Sequence, residues 1–214
     1  MEILVAIYAL FMVGYMLIKA FGVGNPYRGW VKAVLSSTFL GVGLHFTAIN
    51  GWHLDSLLVA IALFLAWIGD ALLVFKHKSN MFHAGCVSFG FANLFLIAHS
   101  LIVYQWEWWS LILFAAFMAA SLLCQKFGVF SFGRSALYLN FYSITVGYNG
   151  LHGLALAIVL GTTPALLFGI GSMLFLTSDV VLGLFMFKFK KWPMDVLNTL
   201  LYFSGMMLIA FSIA

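Results

Sequence analysis

A chain of 214 residues that is 64% hydrophobic and 7% charged, with a mean hydropathy of +1.11, cannot cover a water-facing surface. Soluble domains carry about 25% charged residues, so composition excludes a soluble enzyme or a soluble nucleic-acid-binding domain. The formal net charge of +4 then reports on membrane topology, as the placement of the basic residues makes plain.

A spanning helix needs about 20 mainly apolar residues. Eight stretches qualify, over residues 2–21, 30–49, 54–75, 82–104, 107–125, 134–160, 165–187 and 194–213. Bilayer-embedded backbone must satisfy its own hydrogen bonds. The expected fold is therefore all-α: a polytopic helical bundle of about eight transmembrane helices, forming one integral-membrane domain over residues 1–214. The first stretch opens Met1-Glu2-Ile3, without the basic region of a signal peptide, and is expected to be retained. The sixth carries Gly147, Gly150 and Gly153, which predicts a kink or an end before residue 160. Turn-forming residues mark the connections at Gly22–Pro26, Asn50-Gly51, Lys78–Asn80, Gly161–Pro164 and Lys191–Pro193. Cys86 and Cys124 fall inside apolar stretches and read as small buried hydrophobes, not as a disulfide or a metal site.

The ten basic residues collect on alternate connections. Lys19, Arg28 and Lys32 flank the first, Lys76 and Lys78 the third, Lys126 and Arg134 the fifth, and Lys188, Lys190 and Lys191 the seventh. Glu2, Asp55 and Glu107 lie at the opposite ends. This positive-inside pattern puts both termini on the non-cytoplasmic side. Trp30, Trp52, Trp106, Trp108, Trp109 and Trp192 near the span ends make an interfacial belt.

Two acids break the apolar spans, Asp70 in the third and Asp179 in the seventh. A carboxylate at mid-helix costs about 2.5 to 3.5 kcal/mol on insertion scales, so intramembrane acids are read for function first. Counting from Lys76 and Lys188 at 1.5 Å per residue, the carboxyls sit roughly 9 and 13 Å from the cytoplasmic ends. At that level lie Lys32, Ser36 and Ser37; Ser88 and Asn93; Tyr138, Asn140 and Tyr142; and Asn198 and Tyr202. Polar side chains at that depth face the bundle or a wet cavity, which predicts a polar pocket open toward the inner leaflet. The segments around the two aspartates share a small residue before the acid and Leu three positions after it, as in a parallel duplication of four helices. The six histidines do not converge as a metal site, and no Gly-x-Ser-x-Gly nucleophile turn is present.

The motifs Gly69-Asp70-Ala71-Leu72-Leu73 and Phe175-Leu176-Thr177-Ser178-Asp179-Val180-Val181-Leu182 resemble those of the YhhN/TMEM86 family, as do Lys32 and Gly85-x-x-x-Phe89. The chain departs from that family in carrying Asn93 where a His is usual, and no Gln after Tyr202-Phe203. The resemblance implies a lysoplasmalogenase: hydrolysis of the vinyl ether of a lysophospholipid drawn from the inner leaflet, releasing a fatty aldehyde, without a cofactor. It implies Asp70 and Asp179 as a catalytic carboxyl pair, whose protonated member acts as acid while the other steadies an oxocarbenium-like cation. Lys32 is a candidate for the lipid phosphate, and Asn93, Asn140, Ser178 and Tyr202 are candidates to support substrate binding. A multi-pass protein of the bacterial inner membrane is expected. The competing readings are a proton-coupled carrier and a non-catalytic lipid-binding protein.

Overall fold

The computed structural model describes the backbone of residues 2–22, 27–74 and 78–214, and the side chains of these residues from Val5 onward. The residues 23–26 of the first connection, Phe75, Lys76 and His77, and the Glu2 side chain lie outside the described residues. The described residues form eight α-helices: α1 Glu2–Phe21, α2 Arg28–Ile49, α3 Leu54–Val74, α4 Ser79–Val103, α5 Ser110–Lys126, α6 Ala136–Leu160, α7 Thr163–Leu184 and α8 Trp192–Phe211. No strand occurs among the described residues. Six of the helices (α2, α3, α4, α6, α7 and α8) are long and apolar enough to cross a membrane, whereas α5 and the fully described part of α1 are shorter apolar helices.

Local chemistry explains where the helices stop. Pro164 and Pro193 occupy the first turns of α7 and α8, where a missing N–H costs nothing and φ is already helical. Gly161, at φ +60°, closes α6 in the left-handed conformation that glycine adopts without strain. A π-helical turn, Phe185–Phe189, extends α7. It ends on Lys190, at φ +32°, and the chain turns from there into α8.

The packing repeats every four helices. α1 packs on α2 as α5 packs on α6; α2–α3 matches α6–α7, and α3–α4 matches α7–α8. The contacts α2–α8 and α4–α6 complete a ring of six helices, with α1 and α5 leaning on its outside. α1 leans on α2 and α8 and α5 on α6, while α3 with Asp70 and α7 with Asp179 hold equivalent places in the ring. Phe39, Leu63, Phe168, Phe175 and Phe203 are fully buried inside this ring. Leu10, Ile102, Leu137 and Ile158 are exposed, as surfaces toward lipid are.

Apolar side chains gain little by leaving lipid for another apolar surface, so close backbone approach carries much of the adhesion between membrane helices. A Cβ on Gly171 of α7 would lie 2.8 Å from the Gly205 carbonyl of α8, and one on Gly205 would lie 2.7 Å from the Gly171 carbonyl. The glycines of α6 serve the same end. Gly147 makes room for Phe117 of α5, Gly150 for Leu176 of α7, and Gly153 for Ser172 and Gly169. α6 is accordingly one continuous helix to Leu160, and its glycines are contact points, not an early stop. Away from the acids, the Asn149 amide of α6 donates to Asn93 Oδ1 of α4 at 3.0 Å, and the Asn93 amide returns to the Phe89 carbonyl at 2.9 Å.

Two outcomes follow from this packing. Gly171→Val or Gly205→Val should wedge α7 from α8 and destabilise the protein by about 1–3 kcal/mol or more, measured as a lower unfolding midpoint in detergent. Gly41→Ala, where nothing lies within 4 Å of the added Cβ, should not lower the midpoint, since alanine is the better helix former. A double-mutant cycle on Asn93→Ala and Asn149→Ala should give a coupling of about 0.5–1.5 kcal/mol, the range of interhelical hydrogen bonds in membranes.

Candidate active site

The C-terminal halves of α1, α3, α5 and α7 and the N-terminal halves of α2, α4, α6 and α8 share one end of the bundle, and there they enclose a cavity of about 680 Å³. The nine described basic residues all belong to helix ends or connections at this same end. Both intramembrane acids line the cavity, together with Lys32 and Tyr202. Most of the rest of the wall is apolar, with Leu73, Phe89, Phe117, Phe130 and Phe187 among its residues. A cavity lined by a few charged groups among mostly apolar side chains fits an amphiphile better than a fully polar solute.

Asp70 is 3% exposed and carries a dense set of partners. Lys32 Nζ lies 2.9 Å from Oδ1 and also reaches the Asp70 carbonyl at 3.4 Å. Oδ2 accepts from the Ser36 hydroxyl and from Tyr202 OH at 2.8 Å. Lys32 and Ser36 stand four residues apart on α2, hence on one face. Gly69 lets the acid sit so deep, since a Cβ there would meet the Phe89 ring at 2.6 Å. The Tyr202 ring is held edge-on by Phe39, Phe89 and Phe175, at centroid distances of 6.4, 6.0 and 5.5 Å.

Asp179 is held differently. Tyr142 OH donates to its Oδ2 at 2.5 Å, and among the described residues no cation lies within 4 Å of it. Asp179 lines the cavity, and among the described residues its Oδ1 has no hydrogen-bond partner. One acid is thus an ion pair with two hydroxyl donors. The other is a carboxyl with a single phenol.

Not every polar residue at this depth turns inward. Asn93 bridges to α6 as described above, Asn140 Oδ1 accepts from the Gln125 amide at 3.1 Å, and Ser178 Oγ donates to its own helix at Phe175 O, 2.7 Å away. None of these three lines the cavity. Ser36 and Tyr142, at the expected level, prove to be the direct partners of the acids. Asp195 drew no attention in the sequence; it lines the polar end, bound to Lys19 at 2.6 Å and facing Arg28 at 3.6 Å. Its place in the first turn of α8, two residues after Pro193 and just past Lys188, Lys190 and Lys191, was the available signal. Among the described residues no group of three or more His, Cys, Asp or Glu side chains is arranged to hold a metal ion.

The family model described as YhhN family matches residues 30–213. Comparison with curated proteins and with solved structures returns no match. The matched region holds Lys32, both aspartates and Tyr202 and begins just after Arg28. Matched along every helix but the first and the opening turn of the second, this multi-pass membrane protein belongs to the YhhN family.

Proposed function

We propose that the protein is a membrane-embedded hydrolase that cleaves the vinyl ether bond of lysoplasmalogens, with Asp70 and Asp179 as its catalytic pair. The observation that carries this reading is that two carboxyls line one largely apolar cavity in unlike electrostatic settings. Family membership and the two aspartate motifs support the same chemistry.

An enol ether breaks when its β-carbon takes a proton, which leaves an oxocarbenium-like cation. Asp179 is the proton donor in this scheme. With no cation beside it, its neutral form is not opposed by a neighbouring charge, and the Tyr142 bond to Oδ2 leaves the proton on Oδ1. Asp70, kept ionised by Lys32, Ser36 and Tyr202, faces the cation that forms and takes a proton from the attacking water. The resulting hemiacetal collapses to a fatty aldehyde and the glycerophospho-alcohol. The net reaction consumes one water and returns both carboxyls to their starting states after a proton passes back. Lys32, as the counter-ion of Asp70, joins the catalytic group as a positioning residue. In orientation, the basic end faces the cytoplasm, the termini face outward, and substrate enters from the inner leaflet of a bacterial cell membrane.

Incubation of the purified protein with a lysoplasmalogen should release aldehyde, detected by mass spectrometry. Asp70→Asn and Asp179→Asn should each lower the rate by about 10²–10⁴-fold, the usual contribution of a positioned acid or base, while eluting from size exclusion as the parent does. Activity within tenfold of the parent in either variant would remove that residue from the pair. Transfer of lipid across proteoliposomes without aldehyde would favour a carrier instead. Tyr142→Phe should cost less, about tenfold, because the phenol positions Asp179 without touching the reacting atoms.

A further inference from the structure

We infer that Lys19, Arg28 and Asp195 form a binding site for the phosphodiester anion of a single-chain lipid, one helical turn from Lys32 at the polar end of the cavity. The inference rests on the hydrolase reading for where the ether bond lies, but not for the anion itself.

Three observations place an anion there. The first is how the cations are held. Asp195 Oδ1 takes Lys19 Nζ at 2.6 Å, and its Oδ2 faces Arg28 Nη2 at 3.6 Å. One carboxylate from α8 thus gathers a cation from α1 and another from α2. Their side chains are only 12% and 33% exposed, and all three residues line the cavity. Lysines serving only as topology markers extend toward water; Lys19 instead lies over the Tyr15 ring at 5.1 Å and reaches the Asp195 carbonyl.

The second is an unmet donor. A guanidinium offers five N–H groups. Arg28 spends Nη2 on the Lys19 carbonyl at 3.4 Å, while among the described residues its buried Nε has no partner. A buried donor without an acceptor is unfavourable, and a phosphate oxygen is the acceptor that an arginine fork matches.

The third is charge and register. Lys19 and Arg28 share the single carboxylate of Asp195, while Lys32 is paired with Asp70, which leaves one positive charge in this cluster for one phosphodiester. Arg28, Lys32 and Ser36 follow at four-residue spacing on one face of α2, about 6 Å apart per step. The last two hold Asp70. An anion at Arg28 therefore sits one turn from the ion pair, a gap bridged by the three carbons of a glycerol backbone. Lys32, engaged by Asp70, need not supply the phosphate contact.

The test is direct binding by the purified full-length protein in neutral detergent. The probes are a saturated 1-O-alkyl lysophosphatidylcholine, which has no vinyl bond to cleave, the 1-O-alkylglycerol of equal chain length, glycerophosphocholine, and inorganic phosphate. The parent should bind the lysophospholipid about tenfold or more tighter than the alkylglycerol. Lys19→Gln and Arg28→Gln should erase that difference by weakening the phospholipid alone. Arg28→Lys, which keeps the charge facing Asp195 but loses the fork, covers the chance that Arg28→Gln does not fold, and should weaken the phospholipid by a smaller factor. Unchanged phospholipid affinity in Lys19→Gln and in Arg28→Lys would overturn the assignment. Binding of inorganic phosphate or glycerophosphocholine as tight as that of the lipid would overturn the lipid part of it. Arg28-dependent binding in a protein that releases no aldehyde from a lysoplasmalogen would leave the anion site standing and remove the hydrolase reading.

Discussion

An ionised carboxylate inside a helical membrane protein persists only with an opposite charge and hydrogen-bond donors within reach, because the surroundings do not solvate it. Asp70 meets that condition through Lys32, Ser36 and Tyr202. Those partners come from α2 and α8, while the acid itself is on α3, so satisfying one side chain fixes the register of three helices at the polar end of the bundle. The aromatic rings around Tyr202 depend on the same placement, since Phe39, Phe89 and Phe175 pack on a phenol that is already committed. Gly69 belongs to this arrangement as well: a side chain there would collide with Phe89 and lift the acid out of its socket.

The same constraint is met differently in the second half of the chain. The helix contacts repeat with a period of four, and Asp179 stands on α7 where Asp70 stands on α3. In place of a lysine, a serine and a tyrosine, Asp179 has, among the described residues, the Tyr142 phenol alone. A repeated scaffold has thus come to present one charge-paired carboxylate and one lightly bound carboxyl to a common cavity. Two identical groups separated only by environment are what acid and base division of labour requires. The ion pair also shapes the polar end beyond it: with Lys32 held by Asp70, the remaining positive charge lies with Lys19 and Arg28, gathered by Asp195.

Hydropathy and charge made the membrane bundle legible before any coordinates, since both follow from the length of apolar runs and the expense of moving lysine across a bilayer. Depth was legible for a related reason. The fixed rise of a helix put Asp70, Asp179, Lys32, Ser36, Tyr142 and Tyr202 at one level, and these are the residues found at the cavity or bound to its acids. Asn93, Asn140 and Ser178 share that level and yet turn away, into an α4–α6 bridge, a bond to Gln125 and a bond within α7. The glycines of α6 look alike in a sequence whether they bend a helix or admit a neighbour; here they admit Phe117, Leu176 and Ser172.

By itself, then, the sequence determined that this is an all-α membrane protein, which end carries the basic residues, and how far along their helices the two acids lie, because these depend on composition and on distance along a helix. Only the tertiary structure decided which way each polar side chain faces, that α1 and α5 stand outside a six-helix ring, and that Asp195 gathers Lys19 and Arg28. Rotation about a helix axis is set by the neighbours packed against it, and those neighbours come from parts of the chain far away in sequence.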